Sequence, residues 1–403
     1  MLNLVLLLIA LAVAAYLAFS PRLAGSSSWK ATVTPLASIM GSGFLVSAPL
    51  LAITVGNLAL WCMAVLLVLA YGVGWAIRFN IRYFEPIENA GHGPAQDIAF
   101  LSRIVLAGAY FISVTYYLQL LAAFLLKAFG IENVMAAHAI TTVLLLVIGS
   151  IGMWRGLGEL EKVESYAVSL NLGMIAALLV GLVVYNLKLL FSGQWHLANM
   201  DTGIDLHDLR VLLGLLIVVQ GFETSRYLQD QHGRDERIKT MRTAQQVSAA
   251  IYLLFIGLAT VLFHGKMTAD VTAITSMIVP VASLLPLLIA IAAIGSQFSA
   301  AVADTSGAGG LIEDIAHKKL PVRYAYLAII IITVMLTWRT NVNEIIAYAS
   351  RAFALFYMLQ CSVAFVVAWQ RRAMPKRGRY LAGFALLTCL CALIFAFGIP
   401  SES

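Results

Sequence analysis

Three short runs and one lone arginine bring groups that could do chemistry into an otherwise apolar chain. Gly41-Ser42-Gly43 interrupts the apolar stretch from Ala31 to Gly56, and Gln220-Gly221-Phe222-Glu223 interrupts a second one from Val211 to Tyr227. Each glycine weakens a helix by about 1 kcal/mol relative to alanine. In a bilayer, backbone that leaves the helix is tolerated only where protein buries it or where it lines a wet cavity. Each run is therefore either a close helix–helix contact of the small-residue kind or a ligand site. As a site, the N–H groups that open the second half of each helix suit a carboxylate. The carbonyls that end the first halves, near Ile39 and Gln220, suit an ammonium or a metal cation.

The ionisable residues in apolar surroundings are site candidates for the same reason. Glu223 fits a proton carrier or gate, or else it pairs with Arg226, three residues on along the same helix face. Asp304 lies among Ala300, Ala301, Gly307 and Ala308, where it can charge a cation site, hold an amine, take up a proton or join a buried ion pair. Arg351, in Ala349-Ser350-Arg351-Ala352-Phe353, would cost about 2.5–3.5 kcal/mol at a helix centre and must face protein or water. It is the candidate ion-pair partner of Asp304, with Glu344 also in reach, or a bidentate clamp for a carboxylate.

The elements that must position these groups are membrane helices. Hydrophobic residues make up 61% of the 403 and charged residues 11%, and the mean hydropathy is +0.90, far from the balance of a soluble domain. Windows of about 20 residues give twelve spans. They are Leu4–Phe19, Ala31–Gly56, Leu58–Ile77, Ile98–Leu125, Val134–Trp154 and Ala167–Leu187. After these come Val211–Tyr227, Val247–Phe263, Val279–Leu311, Tyr324–Trp338, Ile345–Trp369 and Tyr380–Phe397. The first lacks a basic leader, Arg22 being its nearest cation and following it, so it reads as an uncleaved helix and not a signal peptide. The net charge of +6 belongs to basic loops at the membrane surface and not to a nucleic-acid footprint. Arg22 and Lys30, Arg78 and Arg82, the run Arg226 to Arg242, and Arg371 to Arg379 all fall on one side if every span crosses. That side is cytoplasmic by the positive-inside rule, which leaves both termini outside. Cys62, Cys361, Cys389 and Cys391 lie in apolar segments and read as small buried hydrophobes.

Counted from the first glycine break, five spans reach Leu187 and the sixth is broken as well. Because five is odd, the two broken helices run in opposite directions. This is the sequence mark of an inverted repeat with a site near the bilayer midplane between discontinuous helices. The division is an extra helix and linker (1–30), a first five-helix repeat (31–190), a second (191–370) and a C-terminal helix (371–403).

These residues carry a resemblance. Met40-Gly41-Ser42-Gly43-Phe44 resembles the G-S-G signature of the amino acid–polyamine–organocation (APC) superfamily, and Gly221-Phe222-Glu223 is similar to its second signature. The basic segment Asp230 to Arg242 stands where such permeases place theirs. The resemblance runs from about Ala31 to Trp369 and implies a LeuT-type fold; the extra first helix is a departure. It implies a substrate site shaped by Gly41, Ser42, Gly43, Gln220, Gly221 and Phe222, with Tyr110 and Tyr117 of the third core helix on the cavity wall. Sodium-coupled members place a Thr/Ser pair on the eighth core helix, which implies Na+ at Thr305 and Ser306, since a hard cation takes oxygen ligands. Asp304 departs from that pattern, and the fifth core helix lacks the lysine that replaces sodium in some proton-driven members.

No nucleophile–base set, zinc spacing, phosphate loop or haem signature is present, so an enzyme is not expected. The expectation is a secondary active transporter of a bacterial inner membrane, working by alternating access and coupled to Na+ or H+. A zwitterion would suit both free helix ends, so the expected substrate is a small amino acid or organic amine, carried by symport. Beyond the bilayer and that substrate, no cofactor and no nucleic-acid partner are expected. The alternatives are an inorganic-cation or nucleobase permease, favoured if Asp304 faces the cavity, and a transporter-like sensor without turnover.

Overall fold

The computed structural model describes residues 1–41, 43–88, 91–131, 133–155, 157–198, 200, 203–229, 231–264, 270–316 and 321–401, with backbone only at 24, 155, 158–165 and 322. Ser42 and Asp230 thus lie outside the described residues.

The described chain is helical. It begins with α1 (Leu2–Phe19), α2 (Pro21–Ala24), α3 (Ser27–Gly41), α4 (Phe44–Val55) and α5 (Ala59–Tyr83). Then come α6 (Pro94–Ala128), α7 (Val134–Arg155), α8 (Gly158–Phe191), α9 (Leu206–Leu213) and α10 (Arg234–Ala259). A short α11 (Ile274–Met277) precedes α12 (Leu285–Ile315), α13 (Val322–Thr337), α14 (Val342–Gln370) and α15 (Arg377–Phe397). Among the described residues nine segments are long and apolar enough to cross a membrane, and one of them, Ser27–Tyr83, holds two of the expected spans. The two spans outside that set are α13, whose 16 residues make it short, and the second broken segment. All twelve spans therefore find a counterpart. The basic segment after the second break is helix and not loop from Arg234 onward. Asp235 and Glu236 in its first turn match the positive end of the helix dipole.

Polar signals mark the ends of several spans. Asn341 accepts from the Glu344 N–H, and the Glu344 carboxylate accepts from the Asn341 N–H, both at 2.9 Å, so α14 opens on a capping box. Asp205 and Asp208 do the same for α9. α6 packs along most of its length against α12 and α14. Small residues allow the close approach that membrane helices need in place of a hydrophobic drive: a Cβ on Gly307 of α12 would come within 3.1 Å of the Tyr110 ring. The first and last long helices pack on the flanks of the bundle. α1 lies on α8, where a Cβ on Gly173 would meet the Ala10 carbonyl at 2.4 Å. α15 lies on α14 and stacks Tyr380 on Trp75 of α5 at 5.5 Å.

Candidate functional site

The two glycine breaks cross each other. A Cβ on Gly43 would sit 2.7–2.8 Å from Cγ1, Cα and Cβ of Val218. A Cβ on Gly221 would sit 2.5 Å from Ser38 Oγ and 2.6–2.7 Å from backbone atoms of Ser38 and Ile39. Each break thus presses a glycine onto the other's backbone. Gly221 also has φ +116°, a region L side chains rarely adopt. After it the second segment continues as the short 3-10 stretch Phe222–Tyr227, not as the α-helical second half expected from its hydropathy.

Four of the backbone groups released at the breaks are taken up within the protein. The Tyr252 hydroxyl of α10 donates to the Val218 carbonyl and lies 3.2 Å from the Ile39 carbonyl. Gln297 Nε2 of α12 donates to the Gly41 carbonyl at 2.8 Å. Glu223, 1% exposed, accepts from the Gly221 N–H at 3.0 Å and from the Tyr357 hydroxyl of α14 at 2.7 Å. Of the groups assigned from sequence to a ligand, the Gly221 N–H is in this conformation held by Glu223 and the Ile39 carbonyl by Tyr252. Tyr252→Phe should lower stability by about 1–3 kcal/mol, the cost of leaving a buried carbonyl without its donor. Thermal unfolding of the purified chain measures it, and an unchanged midpoint would show that the hydroxyl is dispensable.

Around Glu223 the second break is tied to α6 and α14. Gln220 Nε2 donates to the Tyr117 hydroxyl at 2.8 Å, the Ile217 N–H donates to Ser350 Oγ at 2.9 Å, and the Phe222 ring stacks on Tyr357 at 5.2 Å. Arg226 does not pair with Glu223. It turns to Glu88 at 3.3 Å and to Gln360, although a 3-10 turn stacks residues three apart, while the Glu223 carboxylate is taken by the Gly221 N–H and the Tyr357 hydroxyl. Gln360, itself fully buried, also accepts from Asn80 at 3.1 Å and donates to Ser102 at 2.8 Å. Arg237 completes the cluster with a two-point bond to Glu85 at 2.7–2.8 Å.

A vestibule of about 490 Å3 leads to this centre, with the exposed residues Tyr227 and Gln231 on its rim and Tyr110, Asp304, Ser306 and Thr224 on its wall. A recess of about 40 Å3 shares Thr34, Ala37, Val168, Thr224 and Ala303 with it and adds Ser38, Asn171, Ser296 and Ser299. Asn171 donates to Ser296 Oγ at 3.2 Å. Asp304 is 6% exposed and accepts from the Ser113 hydroxyl of α6.

Two arrangements expected from sequence are not formed in this conformation. Arg351 is not the partner of Asp304: its Nε donates to the Phe395 carbonyl of α15 at 2.8 Å and its guanidinium lies over the Phe395 ring. Glu344 is spent on its capping box. The Na+ site expected at Thr305 and Ser306 is not assembled in this conformation. Thr305 donates to the Ala301 carbonyl at 2.6 Å within its own helix, while Ser306 lines the vestibule. The Gly41 break lies against Ser296 and Ala300 instead, more than a helical turn earlier on α12. Reasoning from sequence also missed Tyr252, Tyr357, Gln297 and Gln360, single polar residues in apolar helices whose spacing gives no signal.

Two crossed broken helices, walled by long helices and reached through a polar vestibule, define a polytopic membrane transporter. A family model described as an APC superfamily transporter matches residues 21–398, and the chain belongs to that superfamily. An uncharacterized protein of Aquifex aeolicus (strain VF5) is 41% identical over 396 residues, covering 96% of this chain and 95% of the relative. Among solved structures, a mutant of the Eremococcus coleocola manganese transporter superposes with a TM-score of 0.56 at 13% identity, over 92% of this chain and 87% of that one. At that identity the likeness concerns the fold.

Proposed function

We propose that the protein is a cation-coupled secondary active transporter of a small organic amine or amino acid, working by alternating access around the crossed breaks. The observation that carries the reading is Asp304, a buried carboxylate on the vestibule wall beside the Tyr110 ring. A carboxylate and an aromatic face together suit an ammonium group. The rim of Tyr227 and Gln231 belongs to the side that the basic residues mark as cytoplasmic on this reading, so the vestibule is the cytoplasmic approach to the breaks. The recess of Ser38, Asn171, Ser296 and Ser299 offers neutral oxygens between α3, α8 and α12, the ligand type a sodium ion needs. Proton coupling through Glu223 or Asp304 is the other arm of the same reading.

Asp304 facing the cavity also favours a second reading, an inorganic-cation permease, and the structural neighbour is a manganese transporter by its title. Divalent cations are held by several carboxylate, imidazole or thiolate ligands. Among the described residues no three His, Cys, Asp or Glu side chains gather, which weighs toward the organic cation.

Uptake by the full chain in proteoliposomes, screened over amino acids, amines, nucleobases and Mn2+ with sodium and proton gradients imposed separately, tests the proposal. Accumulation of an amine or amino acid under one gradient is expected. In Asp304→Asn, which can keep the bond to Ser113 but loses the charge, it should fall about a hundredfold, the scale of removing one desolvated charge from a pair. Accumulation of Mn2+ alone would establish the second reading, and ligand binding with no flux of any solute would establish a sensor.

A further inference from the structure

Arg351 belongs to the structure that anchors the second broken segment. That segment enters the bundle through α9, eight residues long, and leaves it at Tyr227 on the vestibule rim. Isolated helices shorter than about 12–15 residues are marginal in water, so α9 needs outside support. Its capping box of Asp205 and Asp208 holds one end, and only Val211 and Leu212 of it are buried.

The other end is held by the segment 398–401 that follows α15. The Ile399 N–H donates to the Arg210 carbonyl at 3.1 Å, and Arg210 Nε donates to the Phe397 carbonyl at 3.3 Å. Backbone lies on backbone between them. A Cβ on Gly214, where α9 ends, would sit 2.1 Å from the Ile399 carbonyl oxygen, and one on Gly398 would sit 3.3 Å from the Gly214 nitrogen. The root of this segment is fixed in turn. The Gly398 N–H donates to the Ile394 carbonyl at 3.0 Å, and Arg351 Nε of α14 donates to the Phe395 carbonyl at 2.8 Å. Two arginines from different helices thus take carbonyls of the last turn of α15, which a helix leaves without partners of its own.

Past Gly214 the segment changes character. Leu216–Val219 is a 3-10 stretch, and Gln220 is extended before the break at Gly221. The 3-10 helix is bonded less well than the α-helix, and within a longer helical segment it often marks a hinge. We infer that 398–401 is a strap that fixes α9 to α14 and α15, so that the second broken segment changes shape only beyond Gly214, with its hinge at 215–220. The hinge rests on the alternating-access reading; the strap does not.

Amide hydrogen exchange of the purified full chain, resolved to 206–214 and 215–220, tests both without a substrate. In wild type 215–220, at most 2% exposed, should exchange faster than α9, the reverse of the order that burial dictates. Gly214 has φ −71° and ψ −8°, which alanine adopts freely, so Gly214→Ala acts by driving its Cβ into the strap. It should speed exchange of α9 about tenfold, the loss of both bonds at Arg210. Ile399→Pro removes one of them, and the Gly398 φ of −60° and ψ of 130° already suit a residue before proline; it should speed exchange about fivefold. Peptides of α7 should be unchanged in both. In a chain lacking 398–403, Gly214→Ala should add nothing, because the atom it strikes is gone. Unchanged α9 exchange in either single variant, equal acceleration in α7, or a further loss in the shortened chain would overturn the strap. Slower exchange at 215–220 than at α9 in wild type would overturn the hinge.

Discussion

Gly221→Ala and Gly43→Ala should each abolish uptake, while Gly310→Ala should leave it intact. At Gly221 two costs add. The φ of +116° strains any L side chain by about 1–3 kcal/mol, and the new Cβ would lie 2.5–2.7 Å from Ser38 and Ile39, an overpacking worth a further 1–3 kcal/mol or so. Two of those neighbours are backbone atoms, so no side-chain rotation relieves the clash. At Gly43 the backbone is merely extended, and the cost is contact alone, with the Val218 Cα at 2.8 Å. Gly221→Ala should therefore be the more damaging of the two in thermal unfolding. Gly310 lies on α12 with nothing within 4 Å of its added Cβ, which makes it the control for glycine loss as such. If Gly43→Ala transports at the wild-type rate, the breaks do not need to touch.

This pair also shows what the sequence disclosed. That Gly41–Gly43 and Gly221 end helices was legible, because glycine in an apolar span has an energetic cost wherever it occurs. Their matched positions, five spans apart, pointed to a shared centre. Whether they served packing or a ligand was not legible, since both uses need the same missing Cβ. In this conformation Gly43 and Gly221 each lie in close contact with the other break. Among the side chains around them, Asp304 and Glu223 stood out as charges in apolar helices. Tyr252 and Tyr357 did not, because a tyrosine in a membrane helix is ordinary until its hydroxyl has a partner more than 30 residues away in the chain. Arg351 shows the opposite failure. Its depth in α14 was readable, but depth does not give azimuth, and it points to α15 and not to α12.

Azimuth also explains why Thr305 and Ser306 part company in this conformation. Thr305 and Ser306 are adjacent in sequence, yet neighbours on a helix are turned about 100° from each other, and only Ser306 reaches the vestibule. Ser296 and Ser299, three apart and so on one face, both line the recess. Spacing of three put both hydroxyls on the wall of one recess.

The second large effect is expected at Glu223. Its carboxylate is the acceptor for both the Gly221 N–H and the Tyr357 hydroxyl, so Glu223→Ala removes the partner of two buried donors at about 1–3 kcal/mol each and should disturb the break itself. Glu223→Gln is the informative change. Its amide oxygen can accept both bonds, the fold should hold, and only the ability to bind and release a proton is lost. If a proton on Glu223 couples transport, accumulation driven by a proton gradient should fall at least about a hundredfold in Glu223→Gln. Exchange of labelled for unlabelled substrate, which needs no net proton movement, should persist within a few fold. If a sodium ion in the recess of Asn171, Ser296 and Ser299 couples instead, Glu223→Gln should keep its sodium-driven uptake, and Ser296→Ala should lose it. Proteoliposomes assayed for gradient-driven uptake and for exchange separate the two cases. Full proton-driven accumulation by Glu223→Gln would remove Glu223 as the proton carrier and leave it the role that its hydrogen bonds describe, a fixed acceptor that holds the second break in shape.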